Sequence, residues 1–321
     1  MSLPALLEDQ LRIPVIGAPM FIVSGPELVL AQCKSGIVGA FPALNARPEA
    51  MLEEWLARIT GELAAYRSAN PHFKVAPFAV NQIVHHSNDR LEHDMKMCVK
   101  YQVPIVITSL RPPAEVVDAV HGYGGVVFHD VINIRHAQKA IDQGVDGIIT
   151  VCAGAGGHAG TTSPFALVKE VREIFDGTII LSGSMSRGND ALAAQAMGAD
   201  LAYFGTRFIA TQEANAPSSY KEMIVDSAAA DIVYTNLFTG VHGSYLKGSI
   251  ENAGLNPHEL PEGELRAMNF GSGGGSKAKA WRDIWGAGQG VGTIDDIPAV
   301  AELVERMTME YGDAARKLQV S

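Results

Sequence analysis

The sequence is poor in cysteine, in positive charge and in long apolar runs. Its three cysteines, Cys33, Cys98 and Cys152, are odd in number and far apart, which argues against a disulfide framework and favours reduced thiols in the cytoplasm. The 25 Lys and Arg against 35 Asp and Glu give a net charge of −10, so a nucleic-acid partner is not expected. No apolar segment approaches the ~20 residues that span a bilayer. The N-terminus lacks the pattern of a secretory signal, so no membrane contact is expected.

Two motifs of common binding sites are also missing. No GxGxxG opens a helix, which argues against a Rossmann dinucleotide site. The adjacent His85 and His86 have no partners at metal-ligand spacing, so no metal is expected. No lysine ends any of the apolar runs described next, which disfavours Schiff-base chemistry.

What the sequence does contain is an alternation of short apolar runs and amphipathic segments. Eight runs rich in Val, Ile and Phe have the pattern of parallel strands buried on both faces, namely 13–19, 37–43, 76–81, 104–109, 125–131, 147–152, 178–184 and 201–208. Helical spacing fills the intervals, as in 48–67, and a last amphipathic helix is expected over 294–318. Eight such units predict an α/β fold, a (β/α)₈ TIM barrel, with a doubly wound open sheet as the alternative.

The residues that remain after eight strand–helix units follow the last apolar run. The alternation is lost over about 230–275, and the Gly- and Ser-rich 269–281 is typical of a mobile loop. We therefore expect a barrel over 1–229, a small insertion over 230–275 that caps the barrel mouth, and a segment over 276–321 that returns to the barrel.

Glycines and hydroxyls follow the seventh and eighth runs, where barrels commonly bind phosphate. Gly183 and Ser184 end the seventh run, and Gly205 and Thr206 lie in the eighth. Backbone N–H groups that glycine leaves approachable can hold a phosphate at a helix start. The two loops together predict a phosphate site, and the phosphate could belong to a sugar, a nucleotide or a flavin.

A histidine stands within a glycine cluster after the sixth run, in AGAGGHAG over 153–160. His158 is a candidate general base, because an imidazole titrates near neutrality. The alternative is a loop histidine that makes a structural hydrogen bond. Gly156 and Gly157 would make room for a flat ligand beside it.

These motifs together resemble the nitronate monooxygenase family, once called 2-nitropropane dioxygenases. The resemblance rests on APM after the first run, VN after the third, AGGHAG after the sixth, SGS after the seventh, AYFGTRFIAT with the eighth, and WGAGQGVGTI near the C-terminus. It spans nearly the whole chain with the motifs in order. It implies an FMN-dependent oxidoreductase that acts on a small-molecule substrate.

The resemblance also implies which residues meet the cofactor and the substrate. The implied FMN contacts are Ala18, Pro19, Met20, Asn81, His129, Gly156 and Gly157 near the ring, and Gly183, Ser184, Gly205 and Thr206 at the phosphate. His158 is implied as the residue that deprotonates a nitroalkane or positions a nitronate. Weaker candidates for substrate contact are His242, Tyr245 and Gln289.

The chain departs from the family pattern at two positions. Ser184 stands where relatives often have a second glycine, and Asp130 stands where many have a lysine near the flavin pyrimidine. A carboxylate would not stabilise an anionic reduced flavin as a cation does, so Asp130 leaves the reaction open.

Several functions therefore stay open. Oxidation of alkyl nitronates with O₂ to a carbonyl compound and nitrite is the first expectation. The alternative is an NAD(P)H:quinone reductase on the same FMN barrel, and an enoyl-acyl-carrier-protein reductase is third. A flavin-free isomerase or aldolase barrel, or a binding protein, would fall outside this class. A homodimer is compatible with the sequence.

Overall fold

Parallel strands that alternate with helices dominate the structure, a computed structural model that describes residues 2–111, 114–263 and 283–319. The eight barrel strands are β1 Val15–Gly17, β2 Gly39–Pro42, β3 Phe78–Val84, β4 Ile105–Leu110, β5 Val126–Val131, β6 Gly147–Val151, β8 Thr178–Ser182 and β9 Leu201–Phe204. Three further strands lie outside the barrel, β7 Gly157–His158, β10 Ile232–Thr235 and β11 Gly243–Leu246.

The eight strands form a barrel and not an open sheet. Their order is β1-β9-β8-β6-β5-β4-β3-β2, and every named pair in this sheet is parallel. The two edges meet through hydrogen bonds from Gly17 N to Val38 O (2.7 Å) and from Val38 N to Val15 O (3.2 Å). The predicted (β/α)₈ TIM barrel is confirmed, and the doubly wound alternative is wrong.

The side chains of each barrel strand alternate between two cores. Inward-facing residues such as Ile107, Phe128 and Ile149 form one cluster inside the barrel. Outward-facing residues such as Val106 and Val127 join the larger cluster under the helices. Because both faces are buried, the strand runs are almost continuously apolar, which is the pattern that the sequence shows.

Helices cover the outside of the barrel and follow the predicted segments closely. Their bounds are α1 Pro26–Lys34, α2 Met51–Ala69, α3 Leu91–Lys100, α4 Ala114–His121, α5 Ile134–Ile141, α6 Pro164–Arg172, α7 Gly188–Ala196, α8 Thr206–Ile209, α9 Ser218–Val225, α10 Lys247–Asn252 and α11 Val300–Gln319. Within the described ranges, no helix is both long and apolar enough to cross a membrane.

Some predicted element boundaries are wrong, including the end of β3, which lies at Val84 and not at 81. The eighth run was expected to be a strand over 201–208, but β9 ends at Phe204 and α8 follows after Gly205. Both halves of that run are buried, and periodicity does not separate strand from helix in so short an apolar stretch. The last helix begins at Val300 and not at 294, since Pro298 disfavours a helical residue before it.

The segment after the barrel contains a small antiparallel sheet. β10 pairs with β11, and β11 pairs with β7 through Gly243 opposite His158. Residues 264–275 of the expected insertion lie outside the described residues, and so does the whole of the predicted mobile loop over 269–281. The division into a barrel, a cap and a returning segment stays a prediction.

Candidate active site

Three polar side chains follow one another around the inner face of the barrel mouth. Asn81 on β3, Ser109 on β4 and Asp130 on β5 have the same orientation as the inward-facing Ala79, Ile107 and Phe128. The amide of Asn81 donates to Ser109 Oγ (2.9 Å), and Ser109 Oγ donates to Asp130 Oδ2 (2.6 Å). The mouth therefore carries a directed hydrogen-bond chain that ends on a carboxyl group.

The carboxyl group of Asp130 is poorly solvated. The residue as a whole keeps some exposed surface, but its Oδ1 atom is shielded from solvent and has no hydrogen-bond partner. Burial raises the pKa of Asp130 to about 6, and the hydrogen bond from Ser109 opposes that rise. A carboxyl group in these surroundings is easier to protonate than an exposed aspartate.

His129 does not lie at the mouth with these residues. It shares the outward face of β5 with Val127 and Val131, which pack under the helices. Its Nδ1 lies 2.8 Å from Thr108 Oγ1, and burial lowers the pKa of His129 to about 4. The expectation that His129 contacts a flavin is not supported, because β5 turns its side chain away from the barrel interior.

The loops after β8 and β9 expose backbone at the opposite side of the mouth. Gly183 has φ +142° and Ser184 has φ +55°, so both adopt conformations that favour glycine. A Cβ at Gly205 would lie 3.7 Å from Ala18 and 3.9 Å from the Met20 sulfur, so the loop after β1, with Pro19 between them, borders the same region. The structure thus brings these predicted contacts together.

The start of α7 does not provide the expected anion site. Asp190 Oδ2 accepts from Ser186 N (2.8 Å) and Arg187 N (2.9 Å), and Glu310 accepts from Gly188 N (2.7 Å). Because carboxylates of the chain itself occupy these N–H groups, the expectation of a phosphate at this helix start is wrong. A phosphate here would depend on the loops after β8 and β9.

The glycine cluster after β6 packs against a second glycine-rich segment. A Cβ at Gly156 would lie 2.9 Å from Gly288 N, and Gly288 N donates to the Thr206 hydroxyl (2.8 Å). Gln289 N donates to Gly154 O (2.8 Å), while the Gln289 side chain is exposed. The close approach of these two segments requires glycine, and it brings the segment around Gly288 to the barrel mouth.

His158 is placed by strand pairing. It lies in β7, which is an edge of the small sheet, and it is half-buried. A Cβ at the preceding Gly157 would have no heavy atom within 4 Å apart from its chain neighbours, so open space lies at Gly157. Burial lowers the pKa of His158 to about 4, so its imidazole is neutral at pH 7.

The Thr239 hydroxyl contacts that imidazole. His158 Nε2 lies 2.9 Å from Thr239 Oγ1, and the Thr239 hydroxyl donates to Val241 O at 2.9 Å. Because the Thr239 hydroxyl can donate its own proton to that carbonyl, we expect the ring nitrogen to donate to the hydroxyl. We therefore expect the proton on Nε2 and the lone pair on Nδ1.

The other two cap candidates lie at different depths. Tyr245 is only 1% exposed and packs edge-on against Phe238, so it supports the small sheet from within. His242 is exposed and stacks on Tyr234, whose hydroxyl donates to Ala159 O (2.9 Å). His242 is therefore the more accessible of the two to a substrate.

Sequence reasoning missed two residues of this site. Ser109 ends the fourth apolar run, and its spacing of two from Ile107 places it on the inner face. Thr239 carries no local signal, because its contact with His158 joins positions 81 residues apart. Among the described residues, no cluster of three His, Cys, Asp or Glu side chains could hold a metal ion.

A closed barrel with polar side chains, glycine backbone and a histidine at the C-terminal strand ends defines an enzyme of the TIM-barrel class. The family model described as nitronate monooxygenase matches residues 5–310. The chain belongs to the nitronate monooxygenase family, as its motifs predicted. Members of this family are oxidoreductases, and flavin use is a general property of the family.

Individual relatives are distant. A carboxyl-CoA dehydrogenase of Rhodococcus jostii is 26% identical over 75% of this chain, which spans only 64% of that protein. Nitronate monooxygenase of Neurospora crassa is 24% identical over 95% of this chain and 90% of its own length. The structure of nitroalkane oxidase from Streptomyces ansochromogenes has a TM-score of 0.80, at 22% identity over 98% of this chain and all of that one. This last similarity shows the shared fold.

Proposed function

We propose that the chain is an FMN-dependent nitronate monooxygenase, which oxidises alkyl nitronates with O₂ to a carbonyl compound and nitrite. The observation that carries the proposal is His158, a neutral imidazole that strand pairing fixes next to Gly157, where a side chain would meet open space. Family membership supports the reaction class. The substrate is a small molecule, which a barrel mouth can enclose.

The residues at the mouth fit a flavin. The unpartnered Oδ1 of Asp130 and the inward-facing Asn81 offer polar contacts for the edge of a ring. Gly183 and Gly205 leave backbone accessible for a phosphate on the other side, as the motifs imply. Bound FMN would supply the electron-transfer chemistry with the nitronate and O₂.

His158 has two roles in this proposal. With a neutral nitroalkane, its Nδ1 lone pair accepts the proton from the carbon next to the nitro group. With a preformed nitronate no proton has to be removed, and the imidazole only positions the anion. General-base assistance of this kind is typically worth about 10²–10⁴-fold in rate.

Anaerobic mixing tests the proposal. The purified protein should be yellow with releasable FMN, and a preformed alkyl nitronate should bleach the flavin without NADH. Oxygen should then restore the colour with formation of nitrite. Rapid bleaching by NADH and none by the nitronate would favour the NAD(P)H:quinone reductase instead, and a colourless protein that does not bind added FMN would refute both.

Compartment and assembly are secondary parts of the proposal. Cys33, Cys98 and Cys152 are all buried as free thiols, which suits a reducing cytoplasm. A homodimer stays a prediction from the sequence.

A further inference from the structure

Asp130 carries a buried carboxyl group for which the proposed proton transfer has no use. Its Oδ2 accepts the Ser109 hydroxyl at 2.6 Å, whereas its Oδ1 is shielded from solvent without a hydrogen-bond partner. Leaving a charged oxygen buried without a donor is costly. Such an oxygen is stable in the free protein only when the carboxyl is neutral, or when a ligand completes its hydrogen bonding.

Within the described ranges, the groups that face Asp130 do not include a cation. Ser109 contacts it from β4 and Asn81 stands behind Ser109 on β3, while Tyr203 interacts with it from β9. The phenol of Tyr203 is neutral, because burial raises its pKa well above 10. His129 is the adjacent titratable group on β5, and it points to the opposite face of the strand.

The hydrogen-bond chain fixes where a proton on Asp130 must lie. Asn81 can only donate through its amide nitrogen, so the Ser109 hydroxyl accepts from Asn81 and donates its own proton to Oδ2. Oδ2 is thereby an acceptor. A proton held by the carboxyl group therefore belongs on Oδ1, the atom that has no partner within the protein.

We propose that Asp130 is held as a neutral carboxylic acid that donates a hydrogen bond from Oδ1 to an acceptor atom of the ligand bound in the barrel mouth. The partner atom is a carbonyl oxygen or an unprotonated ring nitrogen, and neither an N–H group nor a cation fits it. Under the proposed function, on which this inference rests, that ligand is FMN.

The proposal predicts a loss of ligand affinity at high pH. Burial raises the pKa of Asp130 to about 6, so the group loses its proton as the pH rises through that value, unless an acceptor holds the proton. A carboxylate facing an acceptor offers only repulsion. Relative to an uncharged isostere, affinity should fall by up to about tenfold per pH unit between the pKa of free and ligand-bound protein.

Asp130→Asn is the matched variant, since its amide can accept from Ser109 and present an N–H group where Oδ1 lies. FMN affinity is measured by quenching of flavin fluorescence on flavin-depleted wild type and variant from pH 5.5 to 8.5. Taking the ratio of the two dissociation constants cancels the titration of the FMN phosphate. At pH 5.5 we expect wild type and variant to bind FMN with similar affinity. At pH 8.5 we expect the wild type to bind FMN at least about tenfold more weakly than the variant. A ratio that is constant, or that favours the wild type as pH rises, would overturn the proposal.

Two further measurements keep this test separate from the proposed function. In the infrared difference between wild type and Asp130→Asn, both free of flavin, the acid carbonyl band should be present at pH 5.5 and give way to a carboxylate band at higher pH. Ser109→Ala should move that change to higher pH, because the lost hydrogen bond favours the carboxylate. A carboxylate band in place of the acid band at pH 5.5 refutes the inference whether or not flavin binds, while absence of flavin binding with the acid band intact refutes only the proposed cofactor.

Discussion

The two halves of the barrel mouth are built in different ways. Across β3, β4 and β5 the inner surface consists of side chains joined by hydrogen bonds, from Asn81 through Ser109 to Asp130. Beyond the ends of β6, β8 and β9 it consists mainly of backbone, in loops that contain Gly156 and Gly183. One half can therefore select a ligand by its donors and acceptors, while the other makes room for the ligand and offers N–H groups.

His158 is the exception in the backbone half, and its replacement should have the largest effect. His158→Asn should lower kcat/KM for a neutral nitroalkane by about 10²–10⁴-fold, since the base is lost. Flavin content should persist, and turnover of the preformed nitronate should change much less. Steady-state oxygen uptake with both substrates measures this, and an equal loss on the two would argue against a base role.

The protonation state of His158 can be tested through the pH dependence of the reaction. Because burial lowers the pKa of His158 to about 4, the imidazole stays neutral and able to accept a proton well below pH 6.5. The kcat/KM of the wild type for a neutral nitroalkane, corrected for substrate ionisation, should therefore hold from pH 7 to about pH 5 before it falls. A decline centred near 6.5 would contradict the buried environment of His158.

Gly183→Ala should damage the backbone half. The φ of +142° is strained for an alanine, and the new Cβ would lie 3.0 Å from Ala153 O. Strain of about 1–3 kcal/mol should lower the free energy of unfolding by that amount and weaken FMN binding about 5- to 150-fold if the loop shifts. Chemical denaturation and flavin titration measure the two effects, and a variant unchanged in both would refute this role for Gly183.

Thr239→Val should act on the tautomer and leave the barrel intact. Removing the hydroxyl that accepts from His158 Nε2 costs about one hydrogen bond, so kcat/KM for a neutral nitroalkane should fall roughly 2- to 12-fold. Thr239→Ser should restore the rate. Nitrogen-15 spectra of the histidines should show Nε2–H for His158 in wild type and serine variant, and an Nδ1–H tautomer in the wild type would contradict the assignment.

Ser184→Gly should have the smallest effect and serves as the control for Gly183. Ser184 is exposed and already adopts φ +55°, so glycine relieves strain but adds freedom to the unfolded chain. The free energy of unfolding should change by less than about 1 kcal/mol. FMN affinity should change little if the N–H groups hold the phosphate, and a large loss would assign that role to the Ser184 hydroxyl.

The same contrast explains what the sequence could predict. The barrel follows from eight apolar runs, because strands buried on both faces have no alternative composition. The glycine half is visible as composition, and His158 stands out within it. Thr239 and the orientation of His129 were not predictable in the same way, since one depends on a contact between distant parts of the chain and the other on the register of β5. The capped start of α7 depends likewise on Glu310, which α11 brings back from far along the chain.

The claim that both halves of the mouth together hold a flavin phosphate and ring is tested most directly by comparing FMN with riboflavin. Flavin-depleted wild-type protein is titrated with each, and binding is followed by fluorescence quenching at one pH. The account predicts that FMN binds one-to-one and that riboflavin, which lacks the phosphate, binds at least about tenfold more weakly. Equal affinity for the two flavins, or no binding of FMN, would contradict it.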